Sequence, residues 1–286
     1  MTSYLVVTPA RDEAENLSGL AHSLASQTWL PPLTWVIVDD GSTDGTAEVA
    51  RSLELPFPVR VVQRSNDGGL SRGSAFSAFL HGADIGVEWN GPHDRVMKLD
   101  ADVRLDPGYF AALDAGDRGD ALVGGVVVGP GENEQAHHVR GPLKAYRADV
   151  LDHIRALPVA PGWDVLDEVV LRAHGHNVSR IDAATATTAR LTGSSEGLIR
   201  GRIRNGVISR HTGYDPMYFV LRCIRYAGRS PVGLGALAML WGYLTAGRGP
   251  HDDELRRRHR AEQRLRLWRL VRSPRGEFAA SFGAVR

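Results

Sequence analysis

Cysteine is nearly absent from the sequence, since Cys223 is the only one among 286 residues. A single cysteine cannot form an intramolecular disulfide, and it excludes a zinc site built from several thiolates. Such a chain suits a reducing compartment, so we expect a cytoplasmic protein. The first residues, MTSYLVVTPARDE, contain neither a basic segment nor a long apolar run. We therefore expect no signal peptide.

Net charge is almost absent as well, because 34 Lys and Arg residues oppose 33 Asp and Glu residues. This balance argues against nucleic acid as a partner, and we expect none, although arginine is concentrated near the C-terminus. The uncharged stretch from 231 to 247 is shorter than the roughly 20 residues that one membrane-spanning helix needs. With 43% hydrophobic residues, the chain can bury a substantial core, in one large domain with an appendage or in two small domains.

Short runs rich in Val, Ile and Leu alternate with segments that suit helices. The runs predicted as buried strands are Tyr4 to Thr8, Thr34 to Val38, Val59 to Gln63, Arg95 to Leu99 and Ala121 to Val128. Between the first two runs, helical spacing relates Leu17, Leu20, Ala21 and Leu24, and helices are also predicted for 46–53 and 74–83. The alternation predicts an α/β fold with a doubly wound, mostly parallel, Rossmann-like sheet. Ligands of such sheets bind at the carboxyl ends of the strands, where Asp39, Asp40, Asp100 and Asp102 fall.

Four motifs follow one another in the first two thirds of the chain: VVTPARDEAENL, WVIVDDGSTDGTAEVA, NDGGLSRGSAF and MKLDADVRLDP. Together they resemble the nucleotide-sugar-binding half of the inverting family 2 glycosyltransferases, which have the GT-A fold. The resemblance implies a GT-A domain over 1–196, followed by a helical, Arg-rich region over 197–286. It also implies a nucleoside diphosphate sugar as donor, with a UDP-sugar favoured, and a divalent cation, Mg2+ or Mn2+.

The same resemblance assigns the donor site residue by residue. It implies that the nucleotide sugar is bound by Thr8, Pro9, Arg11, Glu13, Asp39, Asp40, Arg72, Asp100 and Ala101. Asp102 is expected to contact the metal, since a carboxylate-held cation neutralises the charge that develops on a diphosphate leaving group. For Asp106 we predict a helix or turn cap before Pro107. The DDGSTDGT stretch also suits a turn in which Ser42 or Asp44 caps the next helix.

An inverting transfer needs a base for the acceptor hydroxyl, and the candidates lie in PGWDVLDEVV. The helix dipole favours acidic residues in such a first turn even without chemistry. By the spacing to Gly175 that the family shows, Asp164 is the expected base, with Trp163 in place of the customary Glu. Asp167, one turn later, is the alternative. Glu168 is predicted to be a solvated helix residue.

The segment GPLKAYRADVL resembles the part of the family that builds the acceptor side. Lys144 and Tyr146 are therefore candidates for acceptor contact, with Arg147 beside them, while Tyr146 equally suits the core. His137 and His138 would point opposite ways in a strand, so we predict loop residues that share no metal. Some relatives carry a metal-binding His where this chain has residues 187–189, and Arg190 is a candidate for phosphate contact there.

The C-terminal region favours a peripheral contact with an anionic membrane. The apolar stretch 231–247 includes Trp241 and Tyr243, and the basic LRRRHRAEQRLRLWRLVRSPR follows it with Leu and Trp interleaved. We therefore expect the inner face of the cell membrane as location and a lipid-linked acceptor or growing glycan as substrate. A buried helix in the apolar stretch, or self-association through the basic segment, is the alternative.

Two other functions are compatible with the sequence. One is a catalytically silent, glycosyltransferase-like binding or scaffold module, favoured by three departures from the family pattern: Gly73 for Asn, Trp163 for Glu, and the missing late His. The other is a sugar nucleotidyltransferase, which would be expected to carry a Gly-rich loop with a basic residue after the first strand. The actual sequence there is TPARDEAEN.

Overall fold

The computed structural model describes residues 1–66, 73–129, 138–188, 197–228 and 232–273. Its strands are β1 (Tyr4–Ala10), β2 (Leu33–Asp40), β3 (Val59–Arg64), β4 (Arg95–Leu99), β5 (Val103–Leu105), β6 (Leu122–Val128), β7 (Leu143–Arg147) and β8 (Val178–Thr188). Its α-helices are α1 (Ala14–Ala25), α2 (Thr46–Arg51), α3 (Ser74–Asn90), α4 (Tyr109–Gly116), α5 (Leu151–Arg155), α6 (Trp163–Ala173), α7 (Leu198–His211), α8 (Pro216–Ala227), α9 (Leu234–Thr245) and α10 (Asp253–Arg272).

All eight strands belong to one sheet, in the order β3-β2-β1-β4-β7-β6-β8-β5. The first four strands are parallel, so their carboxyl ends share one edge. Strand β7 then runs antiparallel to both β4 and β6, and β5 runs antiparallel to β8. The predicted α/β class with a doubly wound sheet is confirmed, but parallel pairing dominates only the N-terminal half.

Helices cover both faces of the parallel half. Every residue of β2 is buried, as expected for a strand packed on two sides. One face packs against α1, and the four residues with predicted helical spacing, Leu17, Leu20, Ala21 and Leu24, are all buried there. On the opposite face, Phe76 and Phe79 of α3 pack with side chains of α5 and α6. Two cores therefore hold the strand ends in place.

The described C-terminal residues after β8 form four helices. Helices α7 and α9 approach closely because glycines face the partner backbone. A Cβ on Gly206 would lie 2.0 Å from the Met239 carbonyl oxygen, and one on Gly242 would lie 2.1 Å from the Ile203 carbonyl oxygen. None of the helices in the described ranges has both the length and the apolar content that crossing a bilayer requires.

A buried histidine fastens α10 to the junction between α7 and α8. His259 Nδ1 donates to the Thr212 carbonyl oxygen (2.8 Å), and its Nε2 accepts from the side-chain amide of Gln263 (2.9 Å). The oxygen of that amide accepts from the Asp215 backbone N–H (2.7 Å), so the amide orientation is fixed. A proton added to Nε2 would meet an N–H donor. Burial accordingly lowers the pKa of His259 from 6.5 to about 4.

The His259 contacts predict an acid-sensitive fold. Between pH 6.5 and 4, His259 is protonated in the unfolded chain but not in the folded chain. The free energy of unfolding therefore falls as the pH drops through this window. The contribution amounts to roughly 3 kcal/mol at most. Urea unfolding from pH 7 to 4 measures it. The pH slope should be flatter in His259→Gln than in the wild type. The exposed His81→Gln serves as control, and an unchanged slope in His259→Gln would contradict this account.

Candidate active site

The loops after β1 and β2 are bound to each other at the carboxyl edge of the sheet. Asp12, which has a positive φ of 52°, accepts from the Thr43 backbone N–H (2.8 Å) and donates its own N–H to Ser42 Oγ (3.0 Å). Asp44 accepts from the backbone N–H groups of Ala14 and Thr46, each at 3.1 Å, and so caps α1 and α2 together. The predicted capping role of Asp44 is confirmed, whereas Ser42 serves the β1 loop.

Both aspartates at the end of β2 are buried and hydrogen-bonded. Asp39 accepts from the Ser42 backbone N–H and from the Gln63 amide, each at 3.0 Å. Asp40 pairs with Arg64, whose Nε lies 2.9 Å from Oδ1, and accepts from Asn66 Nδ2 at 2.7 Å. Burial raises the pKa of Asp40, and the Arg64 charge and the hydrogen bonds oppose that rise. Asp39 therefore fixes the loop, while Asp40 lies beside a cation at the sheet edge.

The predicted donor residues of the β1 segment differ in accessibility. Thr8 is fully buried, and its hydroxyl accepts from Trp35 Nε1 at 2.9 Å, so its side chain belongs to the core. Pro9 is half-buried. Glu13 accepts from Asn16 Nδ2 at 2.6 Å. Arg11 keeps 45% of its side chain exposed and is the accessible cation of this segment. Arg72 and Arg190 lie outside the described residues.

Asp100, Ala101 and Asp102, which we call the DxD segment after their sequence, form the turn between β4 and β5. Asp100 pairs with Lys98, whose ammonium also donates to the Gly141 carbonyl oxygen (3.1 Å) and lies 5.8 Å from the centre of the Trp163 ring. Ala101 is buried beneath the turn. Asp102 is half-buried and accepts from the Thr188 hydroxyl at 3.4 Å. Two carboxylates thus lie in one turn, and one of them, Asp100, forms an ion pair with Lys98.

Asp100 and Asp102 suit a divalent cation that takes only part of its ligands from the protein. In the described part of the chain no three His, Cys, Asp or Glu side chains are grouped to hold a metal ion. The oxygen ligands of Asp102 and Asp100 match the preference of Mg2+ or Mn2+, which commonly take one or two carboxylates plus substrate phosphates. A divalent cation therefore fits this turn when a diphosphate supplies the remaining ligands.

Asp106 does not act as the predicted side-chain cap. Its carboxylate accepts from the Thr185 hydroxyl of β8, and its backbone carbonyl accepts from the Tyr109 N–H at 2.9 Å. The cap position of α4 is Gly108, which has no side chain. The prediction was wrong because β8 was not recognised, and β8 supplies the partner.

The first turn of α6 meets the DxD segment at Gly141. Gly162 precedes the helix with φ of 91°, and Trp163 stacks on Phe76 with ring centres 4.4 Å apart. A Cβ on Gly141 would lie 3.1 Å from Asp164 Oδ2, so this carboxylate lies against the same backbone that receives Lys98. The predicted base and the predicted metal-binding turn therefore border one loop.

Lys144 and Tyr146 lie in the interior beneath this turn, with no exposed surface for an acceptor. Lys144 Nζ donates to both carboxylate oxygens of Asp167 (2.7 and 2.9 Å) and to the backbone carbonyl of Asp164 (2.7 Å). Tyr146 donates its hydroxyl to Asp167. Burial alone would lower the pKa of Lys144, but the charges of Asp167 and Glu168 raise it. The prediction that Lys144 and Tyr146 contact the acceptor was therefore wrong, and both side chains support α6 instead. Asp167 is equally inaccessible.

Glu168 is buried, so the prediction of a solvated residue was wrong. One oxygen accepts from His138 Nδ1 (2.8 Å) and from the Val139 backbone N–H (2.9 Å), and the other pairs with Arg172 (3.2 Å). Burial favours the protonated acid, but His138, Lys144 and Arg172 outweigh it and lower the pKa of Glu168. Glu168 thereby holds the start of the loop that carries Gly141. His138 lies outside a strand, as predicted, and His137 lies outside the described residues.

The ion pairs of β7 predict a sharp contrast within one strand. Lys144→Met leaves buried carboxylates without their cation and should lower the free energy of unfolding by about 3–5 kcal/mol. Arg147→Met, which breaks the exposed pair with Asp149, should cost less than about 1 kcal/mol. Chemical denaturation of both variants at neutral pH measures the difference. Equal losses would show that Lys144 does not hold the cluster.

The sequence is similar to those of known proteins over much of its length. The model of glycosyl transferase family 2 matches residues 5–160. The polyprenol monophosphomannose synthase of Mycolicibacterium smegmatis is 27% identical over 223 residues, which cover 67% of this chain and 80% of that protein. The dolichol-phosphate mannosyltransferase of Pyrococcus furiosus is 32% identical over 108 residues, covering 38% of this chain and 28% of that protein.

Two solved structures show the same fold at low identity. The mannosyltransferase PcManGT of Pyrobaculum calidifontis, in complex with GDP-Man and Mn2+, has a TM-score of 0.58 and 18% identity, covering 98% of this chain and 84% of that one. Residues 1–349 of TarS from S. aureus, in complex with UDP, give 0.50 and 18%, covering 80% and 72%. Because the family model matches more than half of the chain, this protein belongs to glycosyl transferase family 2, with the GT-A fold.

Proposed function

We propose that this glycosyltransferase moves a sugar from a nucleoside diphosphate sugar to a hydroxyl acceptor with inversion at the anomeric carbon. One observation carries the proposal: Gly141 contacts both Asp164 and the Lys98 ammonium that pairs with Asp100. A base on one side and a phosphate-binding turn on the other are what an in-line displacement requires.

On the donor side, Asp102 and Asp100 would hold the divalent cation. That cation supplies neutralisation of the charge on the departing diphosphate. Asp40 and Arg11 lie at the neighbouring strand ends, and we propose that they bind the nucleoside and the phosphates, respectively. Arg11 suits the second task because its guanidinium is accessible and permanently charged.

On the acceptor side, Asp164 would take the proton of the attacking hydroxyl. It is half-buried, and its helix is held from below by Lys144. Asp167, the alternative base, is fully enclosed and is bound by Lys144 and Tyr146. A base must come within hydrogen-bond reach of the acceptor, and this requirement favours Asp164.

The identity of donor and acceptor is a finer proposal. We keep a UDP-sugar as the favoured donor, with GDP-mannose as the alternative, since the TarS neighbour binds UDP and the PcManGT neighbour binds GDP-Man. The relatives named for polyprenol and dolichol phosphate support a lipid-linked acceptor. Such an acceptor would place the enzyme peripherally at the inner face of the cell membrane. A growing glycan is the other acceptor class.

The scaffold alternative has a specific weakness. The helix dipole alone accounts for a carboxylate at the N-terminus of α6, but it does not account for the position of Asp164 against Gly141, beside the DxD turn. Trp163, one of the departures from the family pattern, has a packing explanation, because its indole stacks on Phe76 and lies over Lys98. Transfer is therefore the better account of the site.

Two substitutions test the roles in binding and in turnover. Asp102→Ala should weaken metal-dependent binding of UDP or GDP by about tenfold or more, because a phosphate-bridging cation loses its carboxylate. Asp164→Asn should bind nucleotide like the wild type but lower donor turnover by about 100-fold or more, since general-base catalysis contributes that much. Calorimetry with Mn2+ and with chelator, followed by release of nucleotide from UDP-sugars and GDP-mannose, measures both effects.

Asp152→Asn is the matched control, because Asp152 is an exposed carboxylate on α5. Its binding and turnover should equal those of the wild type. Absence of nucleotide binding by the wild type under all metal conditions would overturn the proposal in favour of a scaffold. Full turnover by Asp164→Asn would remove Asp164 as the base.

A further inference from the structure

Large apolar side chains at the surface are concentrated in the C-terminal helices. Of the 18 large hydrophobic residues that are exposed in the described part of the chain, 13 lie between Leu198 and Val271. Scattered exposed apolar residues are ordinary, whereas a concentration on a few helices marks an interaction surface. The catalytic half shows no comparable concentration among its described residues.

Helices α8 and α9 each carry large apolar side chains both in the interior and at the surface. Their inner faces form a small core of Phe219, Cys223, Met239 and Tyr243. Their outer faces carry two stripes with spacings of three and four residues, as one side of a helix requires. We call the seven residues of these stripes the outer apolar surface: Met217, Val220, Ile224, Leu234, Leu237, Trp241 and Leu244. On α9 the exposed fraction runs from 61% for Leu234 to 70% for Leu244.

The charge of the chain is divided in the same way. Residues 197–286 contain 18 Arg and six Asp or Glu, whereas residues 1–196 contain 16 Lys or Arg and 27 Asp or Glu. Helix α10 combines both features, because Leu265, Trp268 and Val271 are exposed next to the exposed Arg264, Arg269 and Arg272. Apolar and aromatic side chains flanked by arginines suit an anionic lipid surface, where the rings enter the interface and the cations meet headgroups.

We propose that the outer apolar surface and the basic side of α10 dock this protein in the plane of an anionic bilayer. The proposal rests on the proposed function for its membrane location and extends it to a defined surface. A bilayer is favoured over RNA, because RNA would use the arginines and leave seven apolar side chains in water. It is favoured over a second copy of the chain, because the strong positive charge would face itself across the interface.

The proposed surface is also joined to the catalytic helix. Arg172 of α6 pairs with Glu262 of α10 at 2.9 Å and with Glu168 at 3.2 Å. Docking of α10 therefore takes place one ion pair away from the helix that begins with Asp164. This arrangement would hold the acceptor side of the site at a constant position relative to the lipid surface.

Co-sedimentation with vesicles tests the proposal. The wild type should bind vesicles of phosphatidylcholine mixed with phosphatidylglycerol and should bind phosphatidylcholine alone much less. The triple variant Leu237→Ser/Trp241→Ser/Leu244→Ser should bind about tenfold more weakly or worse, since three interfacial side chains are lost. Its control, Val87→Ser/Trp89→Ser, changes exposed apolar residues of α3 and should bind like the wild type.

A second pair of variants tests the contribution of charge, and its result holds even if the triple serine variant does not fold. Arg269→Glu/Arg272→Glu should weaken binding to the anionic vesicles by about tenfold or more, because each basic side chain near such a surface contributes to attraction. Arg60→Glu/Arg118→Glu makes the same charge change at exposed positions of the catalytic half and should leave more of the binding intact.

Nucleotide binding, measured in solution for every variant, separates the two proposals. Vesicle binding without any nucleotide binding would sink the proposed function and leave the docking surface standing. If the wild type binds nucleotide but does not bind anionic vesicles, the docking proposal alone is overturned. It would also be overturned by a dimer that the triple serine variant abolishes, or by RNA binding that only the arginine variant removes.

Discussion

The buried ammonium of Lys144 is the contact on which the catalytic half depends. It extends from β7, a strand in the middle of the sheet, to the first two turns of α6, where it binds the carbonyl of Asp164 and the carboxylate of Asp167. A charge so deeply enclosed is tolerated only when its partners surround it. The start of α6 is therefore held at one distance from the sheet, and the proposed base is held with it.

The proposed site consists of two parts, because the strands of the sheet run in two directions. Parallel strands bring the acidic ends of β2 and β4 to one edge, which is the proposed donor side. The antiparallel β7 leads back from that edge and connects to the proposed acceptor side. Gly141, at the join, has no side chain, and this lets Asp164 approach the backbone that also receives Lys98. The proposed donor and acceptor groups therefore meet where the strand direction changes.

Much of the parallel half could be predicted from the sequence, because its strands are apolar runs and α1 has regular spacing. The strand β8, VSRIDAATATT, escaped prediction since it contains few large apolar residues. The role of Asp106 was mispredicted for the same reason, because its carboxylate binds Thr185 of β8. The burial of Glu168 could not be read from the sequence, because acidic residues near the start of a helix are common for other reasons. Lys98 was overlooked, although one charged residue within the apolar run VMKL was a usable signal.

Inversion at this site can be tested by the anomeric configuration of the sugar that the enzyme releases. Proton NMR can follow hydrolysis of an α-linked donor, GDP-mannose or a UDP-sugar, from the first turnover, before mutarotation mixes the anomers. Single displacement by water activated at Asp164 predicts the β-anomer as the first product. The α-anomer as first product would contradict the single displacement on which the role of Asp164 rests.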